Sequence, residues 1–129
     1  MIIDANSHVP IFEQIAGSIR TGIANGIYRS GEMLPSLRGL ALAVTVNPNT
    51  VKRAYERLEQ EGLIVSRRGV GLFVTEEAVG IAKASAGVSV QLLFDGAVAA
   101  ARTSGLSDSE TKAIFEKTLK SSQAGGNKP

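Results

Sequence analysis

Four polar residues, Asn49, Thr50, Lys52 and Arg53, fall within five positions directly after an Asn47-Pro48 pair. That pair is a helix-start signal, because the Asn side chain accepts free amide hydrogens of the first turn and proline has no amide hydrogen to leave unpaired. An amide, a hydroxyl and two cations at the N-terminal end of one exposed helix are the groups that read base edges in a B-form major groove. Asn49 can donate to and accept from adenine, and Thr50 can hydrogen-bond or touch a thymine methyl. Lys52 and Arg53 can reach guanine or phosphate. Asn47 itself could either cap the helix or touch phosphate. Ser36 and Arg38 sit at another helix start, where a hydroxyl, a guanidinium and free amides suit a phosphate, although Ser36 could equally be a plain cap. Arg67, Arg68 and Gly69 lie at a glycine-bearing turn, where arginine can enter a minor groove or hold phosphates.

The apolar spacing supplies elements to hold these groups. Pro10 can take the first position of a helix whose stripe, Ile11, Phe12, Ile15, Ile19 and Ile23, ends at Gly26. Ile27 to Leu34, with Gly31 inside it and Pro35 just after, reads as a connection. A short second helix runs from Ser36 to about Val44 with Leu37, Leu40 and Ala41 inward, and Thr45-Val46-Asn47 is the turn that follows, with Val46 inward. The third helix runs from Pro48 to about Glu61 and is closed by Gly62. Val51, Ala54, Tyr55 and Leu58 line one side of it, and Asn49, Lys52, Arg53 and Glu56 line the other. Leu63 to Arg67 and Leu72 to Thr75 are β-prone runs joined by Arg68-Gly69-Val70-Gly71, a tight hairpin. Tyr55 and Phe73 read as core rather than as stacking platforms. The fold class expected is mainly α with a small β-hairpin: a winged helix-turn-helix over residues 1–75 followed by a short two-helix region.

Beyond Thr75 the composition shifts towards Ala, Ser and Lys. Residues 76–84 suit a helix, with Gly80 and Gly87 as candidate breaks. Val90, Leu93, Phe94, Ala97, Val98 and Ala101 then form a helical stripe ended by Gly105. Ser107-Asp108-Ser109-Glu110 is a capping box opening a last helix, with Ile114, Phe115 and Leu119 on its apolar face. Two amphipathic helices of this length cannot build a core alone. Residues 76–121 are therefore expected to dimerise the protein through Val90, Leu93, Phe94, Ala97, Val98, Ile114 and Phe115, the alternative being packing back on the first domain. The tail SSQAGGNKP, from about residue 122, is expected to be disordered.

Composition narrows the function classes. With 43% hydrophobic residues, 5% aromatics and no Trp, the core must be built from Leu, Ile, Val and Ala. No unbroken run of about 18 apolar residues appears, and the opening MIIDANSHVP lacks the basic start and apolar centre of a signal peptide, so no membrane partner is expected. The absence of Cys excludes disulfides and thiolate metal sites, and fits a reducing cytoplasm. The single His8 lies in an irregular segment with no Ser-His-acid order, so neither nucleophilic nor metal catalysis is expected, and no cofactor or metal is called for. Residues 1–75 hold eight Lys and Arg against six acids, whereas residues 76–129 hold six of each, so the net charge of +2 sits with the exposed basic face. Double-stranded DNA is the expected partner. The competing expectation, a winged-helix protein-interaction module, rests on Glu56, Glu59 and Glu61, since acids facing phosphate are unfavourable.

The motifs Leu34-Pro35-Ser36-x-Arg38-x-Leu40-Ala41, Thr50-Val51-x-x-Ala54-Tyr55-x-x-Leu58, Glu61-Gly62-Leu63 and Gly69-x-Gly71-x-Phe73-Val74 together resemble the GntR family of bacterial transcription regulators. The resemblance covers about the first 75 residues. The opening Pro10-Ile11-Phe12-x-Gln14-Ile15, the Val46-Asn47-Pro48-Asn49-Thr50-Val51 turn and the short remainder are similar to its YtrA-like subfamily. The resemblance implies a homodimeric regulator, usually a repressor, whose short C-terminal helices dimerise. It implies DNA contacts at Arg38, Asn47, Asn49, Thr50, Lys52, Arg68 and Gly69. Many relatives carry Arg where this chain has Pro48, which cannot make that contact, so base specificity assigned there does not transfer. The resemblance leaves no room for the larger ligand-binding domains of other subfamilies, leaves a small-molecule effector open, and suggests transporter genes as a target class. Together these readings give a cytoplasmic homodimer that recognises an inverted repeat.

Overall fold

The structure, a computed structural model, describes residues 1–126. In chain order it comprises α1 (Ile11–Ala24), α2 (Leu37–Val44), α3 (Pro48–Gln60), β1 (Ile64–Arg67), β2 (Gly71–Val74), α4 (Ala78–Thr103) and α5 (Asp108–Gly126). Two compact units result, one spanning Met1–Ala86 and one from Gly87 onward, with the boundary inside α4.

In the first unit the expected stripes meet. Ile15, Ile19 and Ile23 of α1 pack with Val51 and Leu58 of α3, with Leu63, Ile64 and Val74 around the hairpin, and all eight are fully buried. Burying one such side chain contributes about 1.5–3 kcal/mol, so these branched aliphatics, not aromatics, dominate the core. Ala78 and Ala82 from the first turns of α4 belong to the same cluster. Pro10 stands one position earlier than the sequence suggests: it is the N-cap of α1, with its carbonyl accepting from the amides of Glu13 and Gln14. Thr45, which closes α2, adopts φ 57°, a left-handed conformation rare for a β-branched residue, and thereby makes the tight turn between α2 and α3.

The strands pair antiparallel with Ile64 opposite Val74 and Arg67 opposite Gly71. At the hairpin tip the Val70 amide donates to the Arg67 carbonyl at 2.9 Å, and Gly69 takes φ 75° at the third position of that turn. A side chain there would be strained, which is why glycine occupies it. The segment before α2 is more than a connection. Met33 bridges to Phe73, the Leu34 amide donates to the Leu72 carbonyl (2.8 Å) and the Val74 amide to the Glu32 carbonyl (2.9 Å). Glu32 to Leu34 therefore lines the free edge of β2. Three residues between Gly31 and Pro35 are too few to show a two-residue alternation, so periodicity missed them.

Helices α4 and α5 correct two expectations. Neither Gly80 nor Gly87 breaks the chain: α4 is one helix of 26 residues. A mid-helix glycine costs about 1 kcal/mol relative to Ala, and the surrounding alanines, the best helix formers, carry the helix through. By length and composition α4 is also long and apolar enough to cross a bilayer. Its apolar residues are interleaved with Gly and Ser rather than consecutive, so no unbroken run signals it. Finally, α5 extends to Gly126, so the expected tail is helical through that residue, and residues 127–129 lie outside those described. Ser121-Ser122-Gln123-Ala124 contains no helix breaker to stop it.

The start of α5 follows its sequence signal. The Glu110 amide donates to Ser107 Oγ at 3.1 Å and the Ser107 amide donates to Glu110 Oε1 at 3.0 Å, closing the capping box. The hydrogen bond from the Ser107 backbone holds the Glu110 carboxyl below the usual carboxylate range. Arg102 pairs with Asp108 at 3.4 Å, and the Phe94 and Phe115 rings meet edge to face with centroids 5.5 Å apart.

Candidate nucleic-acid interface

Helix α3 is anchored before it is decorated. Tyr55, buried on the inner side of α3, donates its hydroxyl hydrogen to the Pro35 carbonyl at 2.8 Å and so ties α3 to the start of α2. Burial pushes its pKa above the ordinary tyrosine value, keeping the phenol a donor. Asn47 Oδ1 accepts from the Asn49 amide at 2.8 Å, and Ser36 Oγ accepts from the Gly39 amide at 3.0 Å. Both side chains act as helix caps here. Asn49, Lys52 and Arg53 are exposed and Thr50 is half-buried; Arg38 in α2 and Arg67, Arg68 and Gly69 at the hairpin tip are exposed. Pro10, Ile11 and Phe12 of the α1 start face Asn49, Thr50 and Arg53 across a cleft of about 430 Å³.

The acids of α3 do not act as one group. Glu61 accepts two hydrogen bonds from Arg20, each 2.8 Å, so it faces α1 and is not displayed beside Asn49, Lys52 and Arg53. The cause is angular: Glu61 is the C-cap of α3, five residues beyond Glu56, and five steps of about 100° carry it well round the helix. The Glu61 hydrogen bond raises the Arg20 pKa, against the opposing effect of partial burial. Glu13 of α1 completes the network, 3.1 Å from Arg57 and 3.6 Å from Arg20. Glu56 and Glu59 stay exposed.

Four arginines of this unit divide by partner. Arg20 and Arg57 hold carboxylates. Arg53 and Arg67 have no carboxylate partner among the described residues; each lies over an aromatic ring, Arg53 at 3.9 Å from the Phe12 centroid and Arg67 at 4.6 Å from that of Phe73. Phe73, expected in the core, is instead half-buried and outside the core cluster, and its ring is a seat for a guanidinium. Sequence reasoning missed both seats, since no local period links Phe12 to a cation on another helix. Among the described residues no cluster of His, Asp or Glu could hold a metal ion.

In the second unit, Val90, Leu93, Phe94, Ala97, Val98, Ile114 and Phe115 are all exposed. Six residues, Phe94, Ala97, Val98, Ala101, Ile114 and Phe115, help line an apolar groove of about 850 Å³ between the second half of α4 and α5. Val88 and Leu92, which lie off the stripe read from the sequence, are exposed too. Their four-residue spacing is the signal that could have found this second row.

Comparison with known proteins matches this geometry. The model of the family described as bacterial regulatory proteins, gntR family, matches residues 11–74. Over 76 residues the chain is 45% identical to the HTH-type transcriptional repressor YtrA of Bacillus subtilis (strain 168), a stretch covering 59% of this chain and 58% of that repressor. The chain thus spans little more than half the length of that relative. A solved GntR family transcriptional regulator from Listeria monocytogenes superposes with a TM-score of 0.73 at 30% identity, covering 89% of this chain and 98% of its own. The DNA-binding domain of AraR, in complex with operator ORX1, superposes with a TM-score of 0.53 at 25% identity, over 58% of this chain and 93% of that one.

Proposed function

Because this chain belongs to the GntR family and is a transcriptional regulator with a DNA-binding domain rather than an enzyme, we propose that it acts as a homodimeric repressor of an inverted-repeat operator. The observation that carries this reading is the exposed set Asn49, Lys52 and Arg53 at the capped start of a helix whose opposite face is buried. Each α3 enters a major groove and reads bases with Asn49 and Thr50, while Lys52 and Arg53 reach guanine or phosphate. Arg38, beside the Ser36 cap, clamps the backbone, and Arg67, Arg68 and Gly69 bring the wing to the flanking groove. Asn47 serves the site by fixing the helix start. The apolar residues of the second unit provide the dimer surface, and half-sites lie about 10 base pairs apart or a multiple of that. The setting is the bacterial cytoplasm, and transporter genes are the first loci to search for an operator.

Selection from a random DNA pool by the full-length chain at near-physiological salt tests this reading. An enriched inverted repeat is the expected result; no enrichment would move the weight to a protein-interaction module, which Glu56 and Glu59 still favour. Two substitutions then separate clamp from reader. Arg38→Ala should weaken binding to all sequences alike and flatten the salt dependence by about one phosphate contact, whereas Asn49→Ala should relax preference at one base pair, at a cost of about 1–3 kcal/mol. Equal losses of both variants on specific and random duplexes would refute that division.

A further inference from the structure

We propose that Phe12 and Phe73 are positioning residues for DNA binding, each holding an arginine as an oriented, unneutralised cation. The proposal rests on the reading of Arg53 and Arg67 as DNA contacts. A long exposed arginine samples many rotamers, and binding must then order it. A carboxylate partner would order it too, but would cancel the charge that phosphate needs. An aromatic face orders the guanidinium through its quadrupole and leaves the charge and the edge N–H donors free.

Four arginines of the first unit show the two kinds of partner. Arg20 and Arg57, which join α1 to α3, spend their charge on Glu61 and Glu13. Arg53, on the exposed face of α3, and Arg67, at the hairpin, lie on rings. Phe12 is itself anchored, only 9% exposed in the core cluster, and its ring also lies 5.5 Å from Arg57. The glutamate holding Arg57 in place leaves Arg53 as the closer cation on that ring. Phe12 also borders the cleft shared with Asn49 and Thr50, so the seated guanidinium lies beside the base-reading residues.

The test is a double-mutant cycle in the full-length chain, read as affinity for the duplex enriched by the selection above, with the urea midpoint of every variant measured alongside. Phe12→Leu keeps the apolar packing but removes the ring face, and should weaken binding about two- to five-fold. Arg53→Ala should weaken it about ten-fold, and Phe12→Leu should add nothing further in that background. Phe12→Tyr should restore parental affinity. Phe73→Leu and Arg67→Ala form the parallel cycle. Losses that multiply independently in both cycles would overturn the positioning role, as would a Phe12→Tyr variant as weak as Phe12→Leu at an unchanged urea midpoint. An Arg53→Ala variant that binds like the parent would instead remove Arg53 from the DNA contacts, and a parent chain that enriches no sequence would remove the operator reading itself.

Discussion

A chain carrying Leu93→Asp and Phe94→Asp should sediment as a monomer and bind its operator about 10²- to 10⁴-fold more weakly than the parent, while still binding an isolated half-site as the parent does. The factor is that of linked binding, in which the second half-site is engaged at the effective concentration set by the first. The motive lies in what the second unit leaves uncovered. Leu93 is 74% exposed and Phe94 44%, and among described side chains no residue of α4 beyond Ala82 and none of α5 is buried. Two helices with so much apolar surface in water need cover. Two carboxylates at the centre of the stripe would make that cover unfavourable, since buried unpaired charge is costly. Because α4 also has the length and apolarity to cross a bilayer, the parent should be spun with phospholipid vesicles. A parent that stays in the supernatant as a dimer supports the subunit interface, whereas flotation with vesicles, or an unchanged mass for the double variant, would sink it.

The second large effect is expected in the core. Leu58→Ala should lower stability by about 2–5 kcal/mol, read as a fall in the urea midpoint with an unchanged slope. Leu58 is fully buried, and its carbonyl accepts the Leu63 amide at 3.0 Å where α3 hands over to β1. Truncation leaves a cavity between α3 and α1, in a domain of a size class whose whole stability is about 5–15 kcal/mol. Leu58→Met, which nearly conserves volume, should cost less than about 1.5 kcal/mol. A loss for Leu58→Ala as small as that for Leu58→Met would contradict the packing described between α1 and α3.

Those features that are local in the chain were legible in the sequence. Asn47-Pro48, Ser36 and the Ser107-to-Glu110 box each satisfy amides within three residues, so their meaning travels with them. The inner and outer sides of α3 were equally legible, because a 3.6-residue period sorts Val51, Ala54, Tyr55 and Leu58 from Asn49, Lys52, Arg53 and Glu56. What escaped depends on partners far along the chain. Glu61 turns to Arg20 across 41 residues, Arg53 finds Phe12 across a similar span, and Glu32 to Leu34 join β2 from the far side of two helices. Such pairings are decided by tertiary packing, and neither propensity nor spacing encodes them. Gly80 and Gly87 show the converse: a residue that weakens a helix locally does not end it when its neighbours favour the helix strongly enough.

The backbone bonds from Glu32 and Leu34 to β2 have a mechanical consequence. Leu34 lies two residues before the cap of α2, so the strand that edges the hairpin is also the lead-in to the helix bearing Arg38. The hairpin bearing Arg67 and Arg68 and the helix bearing Arg38 are thus spliced into one lever. Displacing the hairpin would drag Arg38 with it. Their relative geometry is settled when the chain folds, so docking on a duplex as proposed would forfeit less conformational freedom than two independently hinged arms would.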